Sequence, residues 1–386
     1  MEAIGIICEY NPFHLGHARQ MAKIREEFGP DAAIVCLMSG SFVQRGEPAI
    51  FPKMARAQAA LQNGADLVLE MPVYGSLSSA EGFARTGVRF LSPICTHLCF
   101  GTESGDTEAL ISTAEALLSP AFPEALRAAL KTGVSFPAAR QIALEHMGLS
   151  ANLLLKPNNI LGVEYCKAIL ETGSALTPFP IFRPGDYHAD TPDPKNPSAT
   201  ALRKAILCGD DWEKYVPPEA VSCFASSPVY TLNAGQRAIL YRLRTMTDAD
   251  FEALPYGSEG LWRRLMRAAR QEATLEDIFT AAKTKRYTRT RLNRMVLSAF
   301  LGITETDLQS GAPYARILGF TDRGRELLKT AKGTGLYRNI GENDGSDYSH
   351  RETLWADLYQ LFRVDTPGTP GQAERVIYQK AENFQA

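Results

Sequence analysis

His14 and His17 stand three residues apart with Gly16 between them, directly after the apolar run Ala3–Cys8. At that spacing two imidazoles share one face of a helix, one turn apart. Gly16 carries no side chain where a phosphate could approach the backbone, and the free N–H groups and positive dipole end of a helix favour an anion there. The chemistry this suits is nucleotidyl transfer. HxxH could also be half of a zinc site, but zinc needs three or four ligands and the other histidines show no ligand-like spacing. No metal site is expected. An ordinary core or surface role is the default for a lone histidine, and two of them framing a glycine after a first strand argue against it.

The elements that must position these rings follow from the hydrophobic pattern. Asn11-Pro12 ends the first strand, because proline disfavours helical geometry at Asn11 and cannot extend a ladder. Buried strands are expected at residues 3–8, 32–38, 67–71, 98–100 and 179–182, with helical stretches at 16–27, 55–63 and 107–118. Alternating strand and helix implies an α/β fold, a Rossmann-like doubly wound parallel sheet whose ligand lies beyond the carboxyl ends of the strands. From residue 210 onward helical periodicity dominates, at 234–245, 257–272, 275–284 and 290–301. The expected division is a catalytic domain over 1–214 and a mainly helical domain over 215–386. Residues 340–350 and 365–372 read as mobile loops.

The chain has 386 residues, with 41 basic against 43 acidic side chains, so any nucleic-acid contact must come from a local patch rather than the global field. Its start enters a strand without a basic leader, and no apolar run reaches the roughly 18 residues of a membrane span. A soluble, cytoplasmic protein with no membrane partner is expected. The seven cysteines make no framework and read as reduced core residues.

Four further segments carry possible chemistry, each beside a plainer alternative. Phe100-Gly101-Thr102-Glu103 ends a strand, where Gly101 would let a flat base approach the backbone, or would simply turn the chain. Pro157-Asn158-Asn159 opens a helix, and an asparagine there commonly satisfies N-terminal amides. Ser198-Ala199-Thr200-Ala201-Leu202-Arg203 is an ordinary N-cap or a phosphate cradle of hydroxyls, helix N–H groups and a guanidinium. Residues 283–294 hold Lys283, Lys285, Arg286, Arg289, Arg291 and Arg294 with no acid. Such a run is usually a solvated face; its hydroxyls, its aromatic and its neutral surroundings suggest an RNA backbone track instead.

The His-x-Gly-His signature resembles that of the nucleotidyltransferase superfamily, which includes the class I aminoacyl-tRNA synthetases. Residues 7–17 and 38–48 together are similar to the bacterial tRNA(Met) cytidine acetate ligases. That resemblance implies catalytic roles for His14 and His17. It also implies ATP contacts along Ile7, Cys8, Glu9, Tyr10, Asn11, Pro12, Phe13, Leu15, Gly16, Ala18, Arg19 and Gln20, and at Gly101, Asn159, Arg183, Ser198, Thr200 and Arg203. The 283–294 segment would bind tRNA. Ser41 and Pro52-Lys53-Met54 depart from the family pattern without touching the histidines. The implied reaction joins acetate to ATP as acetyl-adenylate, with Mg²⁺, and passes the acetyl group to the wobble cytidine of elongator tRNA(Met). Two alternatives remain: a metabolic adenylyl- or cytidylyltransferase with a small acceptor, and a non-catalytic RNA-binding protein.

Overall fold

Eight strands form one sheet in the computed structural model, which describes residues 2–134, 136–149, 151–183, 197–284, 286–371 and 374–380. They are Ala3–Cys8 (β1), Ala33–Ser39 (β2), Leu67–Met71 (β3), His97–Thr102 (β4), Thr177–Phe182 (β5), Ala315–Phe320 (β6), Tyr337–Asn339 (β7) and Ile377–Tyr378 (β8). Every residue of β1, β2 and β3 is buried, because helices cover both faces and both must be apolar. Along β1, Ala3 and Ile7 join one core while Ile4, Ile6 and Cys8 join the other; β2 alternates in the same way.

The spatial order is β8-β6-β3-β2-β1-β4-β5, with β7 beside β6. From β3 to β5 every pairing is parallel. The chain winds outward from β1 through β2 and β3, then returns to place β4 on the other flank. That reversal puts the topological switch point between β1 and β4, at the carboxyl end of β1. The helices that bear on the site are Leu15–Phe28 (α1), Lys53–Gln62 (α2), Ala80–Leu91 (α3), Pro157–Thr172 (α4), Ala199–Cys208 (α5), Leu261–Gln271 (α6), Leu275–Ala282 (α7), Arg289–Leu301 (α8) and Asp347–Tyr359 (α9).

The stretch 215–386, expected as a helical domain, is mainly helical and also contributes strands to the sheet. Strand β6 returns to the sheet and pairs antiparallel with β3, and β7 and β8 pair with β6. Tyr215, Val216 and Phe224 lie in the same core as β1 and β2. The helical core in turn takes in Phe42, Val73, Tyr74 and Leu77 from the first half of the chain. A short apolar run such as 315–320 reads equally as helix or strand, so periodicity could not show that it completes the sheet edge. The expected loop at 340–350 also gives way, since α9 begins at Asp347 and buries Tyr348 and Ser349. Of the cysteines, all seven free, five are buried, but Cys208 is exposed and Cys223 half-buried.

Two buried cations lock the strand ends. Arg56, on α2, is wholly buried and spends its guanidinium on backbone carbonyls: Phe51 at 3.0 Å, Glu9 at 2.7 Å, Ser39 at 2.9 Å, and Gly40. These acceptors lie at or just beyond the ends of β1 and β2 and just before α2, so one side chain ties together the rim on which the site is built. Lys53 lies between Glu70, at 2.9 Å, and Glu374, at 3.0 Å, joining α2 and β3 to the segment leading into β8. Arg56→Ala should lower the unfolding free energy by on the order of 3–5 kcal/mol, because the carbonyls stay buried without donors. Urea unfolding measures this, and a loss below about 1 kcal/mol would refute the clamp.

Candidate active site

The loop from β1 into α1 is held from several sides. Asn11 is buried, its side-chain oxygen accepts the Ile50 N–H at 2.7 Å, and the Asn11–Pro12 bond is cis. The Tyr10 hydroxyl lies 3.3 Å from Cys36 Sγ, and its ring packs edge-on against Phe13. His14 is the N-cap of α1. Its Nδ1 accepts the Gly16 N–H at 3.1 Å, and His17 Nδ1 accepts the His14 N–H at 3.2 Å, a reciprocal capping box made of imidazoles. The two rings stack with centroids 3.7 Å apart.

This geometry fixes the protonation state. A ring nitrogen that accepts a backbone N–H carries no proton, so both histidines hold theirs on Nε2. The second proton is disfavoured as well. Burial, then Arg183 and Arg19, push His14 down to about 3. Burial, then His14 and Arg183, hold His17 well below its ordinary value. Each ring is thus a neutral Nε2–H donor. Gly16 has a role that spacing did not reveal, since a Cβ there would lie 2.8 Å from Cε1 of His14: the missing side chain makes room for the His14 ring itself.

Around the pair opens a cleft of about 660 Å³, a usual size for a nucleotide pocket. Among the described residues its walls carry Arg19, Lys23, Arg45, Arg183 and Arg203 against two carboxylates, Glu9 and Glu47. Residues 7–11 line it with His14, Gly16, His17, Arg19 and Gln20, and so do Gly101, Arg183 and Arg203. Arg203 also donates to the Asn11 carbonyl at 2.9 Å, tying α5 to the histidine loop. Cys8 lies on the wall, but burial and its neighbour Cys36 raise its thiol well above the ordinary value, so it is no nucleophile.

Several expected contacts stand elsewhere. Pro12, Phe13, Leu15 and Ala18 do not line the cleft, and Phe13 is core. Asn159 is buried behind the wall, where its Oδ1 accepts the N–H groups of Glu103, at 2.9 Å, and Ser104, at 3.1 Å. The Glu103 carboxylate answers by accepting the Asn159 N–H at 2.9 Å, so Asn159 shapes the turn after β4 while its neighbour Asn158 faces the cleft. Ser198 caps α5 through the Ala201 N–H, and Thr200 is exposed; neither lines the cleft. The cradle reading therefore narrows to Arg203 and the N-terminal turn of α5. Lys23, Gln44, Glu47 and Tyr165 line the cleft without having been singled out. Lys23 was findable, because Gly16, Arg19 or Gln20, and Lys23 recur at helical spacing.

The basic segment divides. Arg289 makes a bidentate pair with Glu276 at 2.6 and 2.7 Å and covers the Phe279 ring. Arg291 donates twice to the Tyr256 carbonyl, and buried Arg294 lies over the Tyr256 ring and donates to the Gln44 carbonyl. These contacts engage all three in holding α8 in place. Lys283 and Arg286 are exposed; Lys285 lies outside the described residues. Gly46, at φ +75°, lets the hairpin Phe42–Val43 with Glu47–Pro48 touch α8, since a Cβ would lie 2.3 Å from the Arg294 nitrogen. Thr290 of α8 consequently forms part of the cleft wall.

A neutral pair makes a test by pH. With a folded value near 3 against about 6.5 unfolded, the unfolded chain binds the extra proton in that window, so the His14 contribution to stability falls as pH drops from about 6.5 toward 3. Nitrogen-15 histidine NMR should show His14 as the neutral Nε2–H tautomer down to pH 4. A titration midpoint near 6.5 for that ring would contradict the assignment.

A model of the HIGH nucleotidyl transferase family matches residues 1–368. The chain is 37% identical over 352 residues to the tRNA(Met) cytidine acetate ligase of Thermosipho melanesiensis, covering 86% of this chain and 82% of that one. It is 37% identical over 426 residues to that of Kosmotoga olearia, covering 98% and 99%, and 36% identical over 354 residues to that of Bacillus subtilis, covering 86% and 85%. The crystal structure of Thermotoga maritima TmcAL superposes with a TM-score of 0.89 at 30% identity, covering 99% of this chain and all of that one. TmcAL bound with alpha-thio ATP superposes at 0.87, with the same identity and coverage. The chain belongs to the HIGH nucleotidyl transferases, and within them to the tRNA(Met) cytidine acetate ligase family.

Proposed function

We propose that this protein joins acetate to ATP as acetyl-adenylate and transfers the acetyl group to the exocyclic amine of the wobble cytidine in elongator tRNA(Met). The observation that carries this reading is the stacked pair of neutral Nε2–H donors at the helix N-terminus of a cation-lined cleft. Such a site suits a reaction that needs charge stabilised rather than a protein nucleophile. The acetate carboxylate attacks the α-phosphorus, pyrophosphate leaves, and His14 and His17 donate to the oxygens on which charge gathers. Arg19, Lys23, Arg183 and Arg203 neutralise the phosphates. In the second step the cytosine amine attacks the acyl carbon and AMP departs; a weak nucleophile of this kind is the reason the acyl group is first activated.

Among the described residues no cluster of three or more histidine, cysteine or carboxylate side chains is poised to hold a metal. The donor set fits a Mg²⁺ that arrives on the triphosphate, with Glu9 or Glu47 as its protein ligand, since Mg²⁺ is commonly held by one or two carboxylates and substrate phosphates. It would supply further charge neutralisation at the phosphates.

Without tRNA, the protein should exchange labelled pyrophosphate into ATP only when acetate is present. Exchange that ignores acetate but answers to another small acceptor would point to a metabolic transferase instead. His14→Ala and His17→Ala should each slow exchange by roughly 10² to 10³, the scale for one preorganised donor, with ATP affinity changed much less. Wild-type exchange in either variant would remove the pair from the mechanism.

A further inference from the structure

With Arg289, Arg291 and Arg294 engaged in packing, the RNA surface must be sought among cations that the fold leaves uncommitted. Helix α6 supplies them. Its eleven residues include Arg263, Arg264, Arg267 and Arg270 and no acid. Leu261, Leu265, Ala268 and Ala269 are buried, so the arginines take the outer face. Arg270 pairs with Asp248 at 2.6 Å. Arg264 donates to the carbonyls of Ala282, at 3.3 Å, and Ala281, at 3.1 Å, the end of α7 immediately before Lys283. Arg263 rests over Trp262, 4.8 Å from its centroid, and Arg267 makes no polar contact among the described residues. Both are exposed, as are Lys283 and Arg286, and none of the four has an ion-pair partner within 4 Å among the described residues. Glu276, nearest in character to a counter-charge, is already held by Arg289.

These cations lead to the cleft. Arg286 precedes Thr290 by four residues, so it stands at most about 14 Å from the wall that Thr290 forms. The Arg264 bonds fix α6 beside Lys283 at the other end of the same stretch. We propose that Arg263 and Arg267 of α6, continued by Lys283 and Arg286, form the track along which the RNA phosphate backbone lies as its cytidine enters the cleft. This rests on the reading of the substrate as tRNA. Guanidinium forks and ammonium groups outside any close ion pair match phosphate oxygens. An anionic membrane fits less well, because a helix lying on lipid exposes an apolar face and α6 exposes no large apolar side chain.

The test measures binding of elongator tRNA to the full chain across a range of salt concentrations. Each phosphate contact removed should flatten the log-log salt slope by about 0.7 to 0.9. Arg263→Ala with Arg267→Ala, and separately Lys283→Ala with Arg286→Ala, should each flatten it by roughly 1.4 to 1.8 with the thermal midpoint kept. Arg263→Lys with Arg267→Lys should retain the wild-type slope, because the charge survives. Alanine variants with wild-type affinity and slope would overturn the track, as would weakened binding at an unchanged slope. Variants that hold tRNA but lose phosphatidylserine vesicles would overturn it in favour of a membrane. A wild-type chain that binds no tRNA would overturn both the track and the substrate reading, whereas failure of the variants alone leaves that reading standing.

Discussion

The Arg56 guanidinium, sealed from water and satisfied only by main-chain carbonyls, is the interaction on which the site's architecture depends. The carboxyl ends of parallel strands present carbonyls with no partner in the next strand, and the loops that leave them are where the ligand must sit. One five-donor fork resolves several of these acceptors at once, at Glu9, Ser39, Gly40 and Phe51. With those loops fixed, the Glu9 carboxylate can accept the Gln44 N–H at 2.8 Å, and Asn11 can hold Ile50. The wall of the cleft is therefore an extension of the sheet rather than a flexible rim.

Within that frame the two histidines behave unlike a general acid and base. Each Nδ1 is consumed by a backbone N–H, and burial among arginines makes a second ring proton unfavourable. What is left is a pair of donors whose direction is set by the helix cap. Preorganisation of this kind needs no reorganisation as charge develops, and it explains why imidazole rather than lysine occupies these positions: a cation in so crowded a cluster of arginines would raise the cost of burial.

The second half of the chain is joined to the first at three levels. Strand β6 completes the sheet edge against β3, Lys53 bridges Glu70 and Glu374, and Gly46 allows the hairpin to touch α8. Through the last of these, a helix from the second half of the chain contributes Thr290 to the cleft. The cleft is thereby walled by both halves of the chain.

Local sequence determined the parallel core, since strands buried on both faces must be continuous apolar runs, and it determined the histidine motif and its helix cap, because those bonds span three residues. It likewise exposed the arginine of α5 and Gly101 near the end of β4, each a few residues from a legible strand or helix boundary. Tertiary structure decided the rest. Whether Arg289, Arg291 and Arg294 meet RNA or pack against Glu276, Tyr256 and Gln44 depends on partners 13 to 250 residues distant. Asn159 looked like a ligand contact until Glu103, 56 residues away, claimed its hydrogen bonds. Strand β6 shows no local mark of its antiparallel place at the sheet edge. Charge and hydrogen-bonding capacity can be read from a side chain's type, but which partner satisfies them is settled only when distant segments compete for the same donors and acceptors.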